Sequence, residues 1–180
     1  EASHRTDYIE RAALDARTGQ VLAFGYKSSG KAEVIYVGET HDEELLPLSE
    51  AQLLEFALAM LSEKLVGSYA IGFNIKAFDL PFMVRRAWKL GVKVPRGIYS
   101  MWKGRVQFND NFVDLRDVWK LGDYQASGSL DSIGVHLGLG GKSGSGKDFA
   151  SLLASDPDAA IAYLKRDVEL TEAVAKRMGI

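Results

Sequence analysis

The chain has 180 residues of which 47% are hydrophobic, enough to bury the core of one compact domain and too few for two comfortable ones. With 22 Lys+Arg against 24 Asp+Glu the net charge is −2, which excludes a disordered polyelectrolyte and a protein coated in positive charge. The absence of cysteine excludes disulfide scaffolds, thiol nucleophiles and Cys-ligated zinc, and the three scattered histidines, His4, His41 and His136, do not make a His-rich metal site.

No apolar run approaches the roughly 20 residues of a membrane span and no basic-then-apolar leader opens the chain, so the expectation is a soluble, cytoplasmic protein. Taken in order, residues 1 to 18 place Tyr8, Ile9, Ala12, Ala13 and Leu14 at the spacing of a short amphipathic helix, which leads into a turn at Arg17-Thr18-Gly19. Residues 20 to 27 and 32 to 38 are β-rich and flank Ser28-Ser29-Gly30, which reads as a hairpin. Ser49 is an N-cap for a helix whose face carries Leu53, Leu54, Ala57, Leu58 and Leu61, with Gly67 as its stop. A short apolar strand over 68 to 73 and a helix over about 80 to 90 form a strand-then-helix unit.

Gly91, Pro95, Gly97 and Gly104 mark a loop-rich stretch, followed by a strand near 112 to 115 and short helices at about 116 to 121 and 129 to 137. Residues 138 to 147 read as a flexible loop by composition. The final helix starts with Asp156 as cap and Pro157 in its first turn, and carries the stripe Ile161, Leu164, Val168, Thr171, Ala175 and Met178. There is no internal repeat and no separating linker, so residues 1 to 180 are read as a single domain.

The charge is unevenly spread. Between Asp79 and Asp110 there is no acid, while Arg85, Arg86, Lys89, Lys93, Arg96, Lys103 and Arg105 give the stretch +7; subtracting this from −2 leaves −9 for the rest. Such a stretch is either a solvated face neutralised by acids brought near in the fold or a track for phosphates, with Trp88, Tyr99, Trp102 and Phe108 interleaved to stack on bases.

Three motifs bear on chemistry. Residues 141 to 148, GKSGSGKD, have the spacing of a phosphate-binding loop but offer Asp148 where such a loop needs Ser or Thr, which disfavours a nucleotide binder. In residues 72 to 82, GFNIKAFDLPF, Asn74 and Asp79 fall on the turn from strand to helix, where sites of α/β folds collect; capping by Asp79, with Phe78 as staple, is the plainer account. In YLKRD the phenol of Tyr163 and the carboxylate of Asp167 share a helix face at i, i+4, which also suits a core-edge tyrosine beside a solvated acid.

In this order, the runs GFNIKAFDLPFMVRRA and YLKRDVELT resemble the second and third motifs of the DEDD 3′-to-5′ exonucleases in their tyrosine-containing branch, especially relatives of the proofreading domain of family B DNA polymerases. FVDLRDVW, SLDSIGVHLGL and GKSGSGKDFASL extend the resemblance over roughly residues 8 to 178. It implies an α/β fold, an RNase H-like mixed sheet flanked by helices, that holds two Mg²⁺ or Mn²⁺ ions on carboxylates. Two such ions about 3.5 to 4 Å apart stabilise both the attacking and the leaving oxygen of an in-line hydrolysis. Carried over by motif position, Asp79 and Asp167 are metal ligands and catalytic with Tyr163, which orients or deprotonates the attacking water. Asn74 and Phe78 lie against the nucleic acid.

The family's opening Asp-x-Glu motif is missing. The nearest text, residues 14 to 19 (LDARTG), has Arg17 where glutamate is required, and arginine cannot ligate a metal ion. The expectation is therefore a fold lacking its first strand, whose acids lie upstream of Glu1, in agreement with a chain that begins without methionine and with weak or no activity by itself. The implied partner is a single-stranded 3′ end, DNA before RNA, in polymerase proofreading or DNA repair. The alternatives are a noncatalytic nucleic-acid-binding or polymerase-associated module and, disfavoured by Asp148, a phosphate-loop nucleotide binder. Asp15, Asp114 and Asp131 are the other acids that could serve as ligands.

Overall fold

The structure, a computed structural model, describes residues 14–38, 47–141 and 149–180; the amphipathic helix expected before Leu14 and most of the glycine-rich segment lie outside these residues. The expected hairpin is present as β1 (Ala23–Lys27) and β2 (Ala32–Tyr36), which pair with each other. Helix α1 (Glu50–Lys64) begins where Ser49 and Gln52 form a reciprocal capping box, and its C-cap is Leu65, two residues before the expected stop. Strand β3 (Ala70–Gly72) leads to helix α2 (Asp79–Leu90), closed by Gly91 in the left-handed conformation.

The stretch read as a loop contains a second hairpin, β4 (Tyr99–Trp102) and β5 (Arg105–Phe108), paired antiparallel from Tyr99↔Phe108 to Trp102↔Arg105. Its two-residue turn, Lys103-Gly104, has φ of 46° and 76°, the pair of positive values that a tight hairpin requires. The glycine that looked like loop punctuation is the turn residue. Strand β6 (Phe112–Asp114) pairs parallel with β3, with Ala70 opposite Phe112 and Gly72 opposite Asp114. Helices α3 (Leu115–Lys120), α4 (Leu130–His136), α5 (Phe149–Ser155) and α6 (Pro157–Met178) complete the chain, α5 being additional to the expected elements.

Among the described residues the six strands form three separate two-stranded sheets, and no helix is long and apolar enough to cross a membrane. Packing divides the chain into two compact units. The first draws on Glu1–Phe24, Ile35–Ser68 and Lys76–Asn109. Its core joins Leu54, Ala57 and Leu58 of α1 to Met83 and Ala87 of α2, with Val92 beside them. It is locked by a buried ion pair in which Arg86 Nη2 meets Glu50 Oε2 at 2.6 Å. Each fully buried leucine of this cluster contributes about 1.5–3 kcal/mol relative to exposure.

The second unit comprises Gly25–Val34, Tyr69–Ile75 and Asp110–Ile180. Here Leu115, Leu130 and Ile133 pack on Val174 and Ala175 of α6, joined by the half-buried Phe73, Trp119 and Leu170. Asp156 caps α6 through the Ala159 N–H at 3.0 Å, as its sequence predicts. Along α6 the buried positions are Ala160, Tyr163, Val174 and Ala175, a stripe rotated from the expected one. The reason is that α6 has neighbours on more than one side: Leu164 and Val168 fill the space beside Gly25 of β1, while Ala175 and Met178 join the cluster around Leu115. Period alone averages such faces into one.

Candidate functional site

The turn after β3 is built by four residues of the second unit. Gly72 is buried and opposite Asp114, and a Cβ on it would run into Ile75 Cγ2, so the close seat of the Ile75 side chain on this strand end uses the missing side chain. Asn74 follows with φ of 61°, a left-handed conformation that asparagine tolerates better than other side chains. Its backbone N–H donates to Asp114 Oδ1 at 2.7 Å, and its side-chain Oδ1 accepts from Arg116 Nη1 at 2.9 Å. Asp114 Oδ1 also accepts the Arg116 N–H at 3.0 Å and so caps α3.

Asp114 is only 4% exposed, and the ends of both parallel strands are stitched together through its carboxylate. Arg116 Nε is buried without a hydrogen-bond partner among the described residues. The sequence reading named Asp114 only as an acid that could be a ligand and missed Arg116. The signal was an aspartate at a strand-to-helix junction followed two residues later by arginine, a pattern that caps a helix and reaches back to a neighbouring turn.

On α6 the structure brings Tyr163 and Asp167 to the same flank. Tyr163 is 7% exposed, and its ring lies 6.3 Å from that of Phe149 on α5. Asp167 is half-buried, one turn on, in a row that continues with Leu170 and Val174 toward the core. Its carbonyl oxygen accepts from Thr171 Oγ1 at 2.7 Å. The tyrosine is thus part of the core rather than its edge, and a carboxylate set into a mostly apolar row is the informative departure on this helix.

Phe78 and Asp79 belong to the first unit, whereas Asn74, Tyr163 and Asp167 belong to the second. Phe78, not Asp79, is the N-cap residue of α2, and its side chain makes no capping hydrogen bond. Asp79 is the first helical residue and is exposed. Its charge suits the positive end of the helix, but the capping account of this aspartate does not hold. The Phe78 ring packs on Phe82, 5.7 Å between centroids.

The remaining acids behave differently. Asp15 holds the backbone N–H and the guanidinium of Arg17, and this hydrogen bonding pulls its carboxyl from 3.8 to about 2, with the Arg17 and Arg85 charges as lesser causes. Asp131 lies in the first turn of α4. Among the described residues no three His, Cys, Asp or Glu side chains gather closely enough to hold a metal ion, so these residues do not by themselves fit a two-ion centre.

No curated protein matches the chain. Among solved structures it is similar to the family B DNA polymerase from the hyperthermophilic archaeon Pyrobaculum calidifontis, at a TM-score of 0.66 and 21% identity. The likeness covers 95% of this chain and 23% of the polymerase, so the chain spans about a quarter of that protein's length. At this identity the likeness speaks for the fold, which is the expected α/β, RNase H-like one reduced to small sheets. A family described as predicted 3′-5′ exonucleases related to the exonuclease domain of PolB matches residues 16–177. With nearly its whole length matched, and with the strand-turn-helix and Tyr-bearing helix in place, the chain belongs to that family of predicted 3′-5′ exonucleases.

Proposed function

We propose that the chain is the substrate-hydrolysing part of a 3′-5′ exonuclease that removes nucleoside 5′-monophosphates from a single-stranded nucleic-acid end, DNA before RNA. The observation that carries this reading is the Tyr163–Asp167 flank of α6, with the acid half-buried in a mostly apolar row, in a chain whose family is described as predicted 3′-5′ exonucleases. In the reaction the water oxygen bonds to the terminal phosphorus and the bond from that phosphorus to the 3′ oxygen breaks, leaving a new 3′ hydroxyl. Tyr163, a phenol that both donates and accepts, is assigned to orient the water. Asn74 holds its turn through its N–H and Oδ1, which leaves its amide NH₂ as a donor toward the strand end. The exposed Phe78 ring is assigned to the terminal base.

Dependence on Mg²⁺ or Mn²⁺ is part of the proposal, with Asp79 and Asp167 as its two acids. The described carboxylates fall short of a two-ion set, and no step is routed through an ion. That shortfall favours a second reading, a noncatalytic nucleic-acid-binding or polymerase-associated module. Editing beside a polymerase and DNA repair are the roles this chemistry suits.

The test is a gel assay of a 5′-labelled single-stranded oligonucleotide with Mn²⁺ or Mg²⁺, run on this chain, on its Asp167→Ala variant and on the full natural protein. A ladder receding from the 3′ end that disappears with Asp167→Ala is expected, strongest for the full protein. An oligonucleotide that is bound yet left uncut by the full, folded protein would establish the second reading instead.

A further inference from the structure

Within the first unit the cations of the basic stretch are divided between the interior and solvent. Of the seven, Arg86 is buried and neutralised by Glu50, and Lys89 donates to the Arg17 carbonyl oxygen at 2.8 Å. Lys93, Arg96, Lys103 and Arg105 are exposed, and among the described residues none of the four has an acidic partner. The neutralised-face reading of the sequence thus applies to Arg86 and not to these four.

The same stretch leaves large rings and chains in solvent. Trp88 is 58% exposed, Met101 63%, Trp102 53% and Val106 55%. Trp88 meets Tyr99 edge-on at 6.2 Å, which joins the end of α2 to the β4–β5 hairpin. The hairpin register sorts its two faces: Met101 pairs with Val106 on one, and Trp102 pairs with Arg105 on the other. The Lys103 ammonium lies 5.1 Å from the centre of the Trp102 ring. An exposed indole flanked by two unneutralised cations is a poor protein surface by itself. It presents a flat face to an unpaired base and charge to the phosphates on either side.

We infer that the β4–β5 hairpin is a stacking platform for single-stranded nucleic acid, with Trp102 taking a base and Lys103 and Arg105 its phosphates. The inference deepens the exonuclease reading and rests on it for the class of substrate. It assigns part of the strand affinity to the hairpin, independent of any divalent ion. Charge complementarity selects the occupant: a polyanion answers the cations, and single-strandedness exposes the bases that the indole needs.

The experiment is fluorescence anisotropy of a labelled single-stranded oligothymidylate with the whole chain in EDTA, so that nothing is cut. Trp102→Ala is expected to weaken binding about tenfold, within the range of one base-aromatic stack. Lys103→Glu with Arg105→Glu should weaken it further and lower the slope of log affinity against log salt by about 1.4, at about 0.7 for each lost phosphate contact. Oligothymidylate should also quench the tryptophan emission of the unaltered chain, and the quenching should shrink in Trp102→Phe, a readout that needs no disruptive change.

Asp167→Ala should bind like the unaltered chain, which separates the two readings: loss of cutting with retained hairpin-dependent binding supports both. Binding that depends on the hairpin with no cutting by the full protein keeps this inference and removes the exonuclease. Affinity and quenching indifferent to all three hairpin variants would overturn the inference even if the strand is cut. So would sedimentation showing a dimer of the chain that Trp102→Ala dissociates.

Discussion

Two polar clusters tie element ends together, one in each compact unit, and they are satisfied to different degrees. In the first unit Glu50 accepts from Val21 N at 2.8 Å and from Arg86 Nε and Nη2 at 2.8 and 2.6 Å, while Arg86 Nη1 donates to the Ala16 carbonyl at 3.2 Å. Every charged end has a partner, and hydrogen bonding to Glu50 raises the pKa of Arg86 above its ordinary value. In the second unit the Asn74–Asp114–Arg116 cluster holds a residue in the left-handed region and leaves Arg116 Nε without a partner among the described residues. A closed network fixes architecture. An incompletely closed one beside a residue in the left-handed region departs from that pattern, and such departures cluster at functional sites.

The comparison is broken most directly at the closed cluster. Glu50→Ala strands a buried guanidinium, and the expected loss is about 3–5 kcal/mol, read from a denaturant melt. Asp114→Ala removes the acceptor of the Asn74 N–H and the cap of α3 together, with an expected loss of about 2–4 kcal/mol by the same measurement. If both cost the same, the two clusters do equivalent structural work and the contrast collapses.

Substitutions at the turn sharpen it. Asn74→Gly relieves the positive φ while surrendering the Arg116 bond, so stability should change by less than about 1 kcal/mol, whereas Asn74→Ala should cost about 1–2 kcal/mol. Under the proposed function both should slow 3′-end removal alike, since each removes the same side-chain amide. A glycine variant that cuts at the normal rate would confine Asn74 to the fold.

The smallest expected effect lies at Asp15. Its carboxyl is depressed in the folded chain, so the contribution of the Arg17 contact is fully present above the unfolded value of 3.8 and is lost as pH falls toward about 2. The pair is solvent-exposed and salt-screened, so the check is an NMR titration of the Asp15 carboxyl with and without Arg17→Ala rather than a melt. The midpoint should rise toward 3.8 in the variant.

The sequence by itself determined the local grammar of the chain. Ser49 and Gln52 specify a helix start through side-chain and backbone hydrogen bonds within four residues, and Asp156-Pro157 specify another. The resemblance was legible for the same reason: it rests on residues 72 to 82 and 163 to 167, short spacings on a turn and one helix face. Other features depended on partners distant in sequence. The β4–β5 hairpin escaped because exposed strands carry little apolar alternation and its glycines looked like loop markers.

The sequence leaves a core-edge Tyr163 open as one of two accounts, because a period of 3.6 cannot tell which of several packed sides of α6 is buried deepest. Glu50 and Arg86 are 36 residues apart, and Asn74 and Asp114 are 40. Only tertiary structure decides that one arginine of a basic stretch is spent inside a unit while its neighbours stay outside. The reason is physical: capping and periodicity act over a turn of chain, whereas burial and ion pairing are settled by whatever the folded backbone brings alongside.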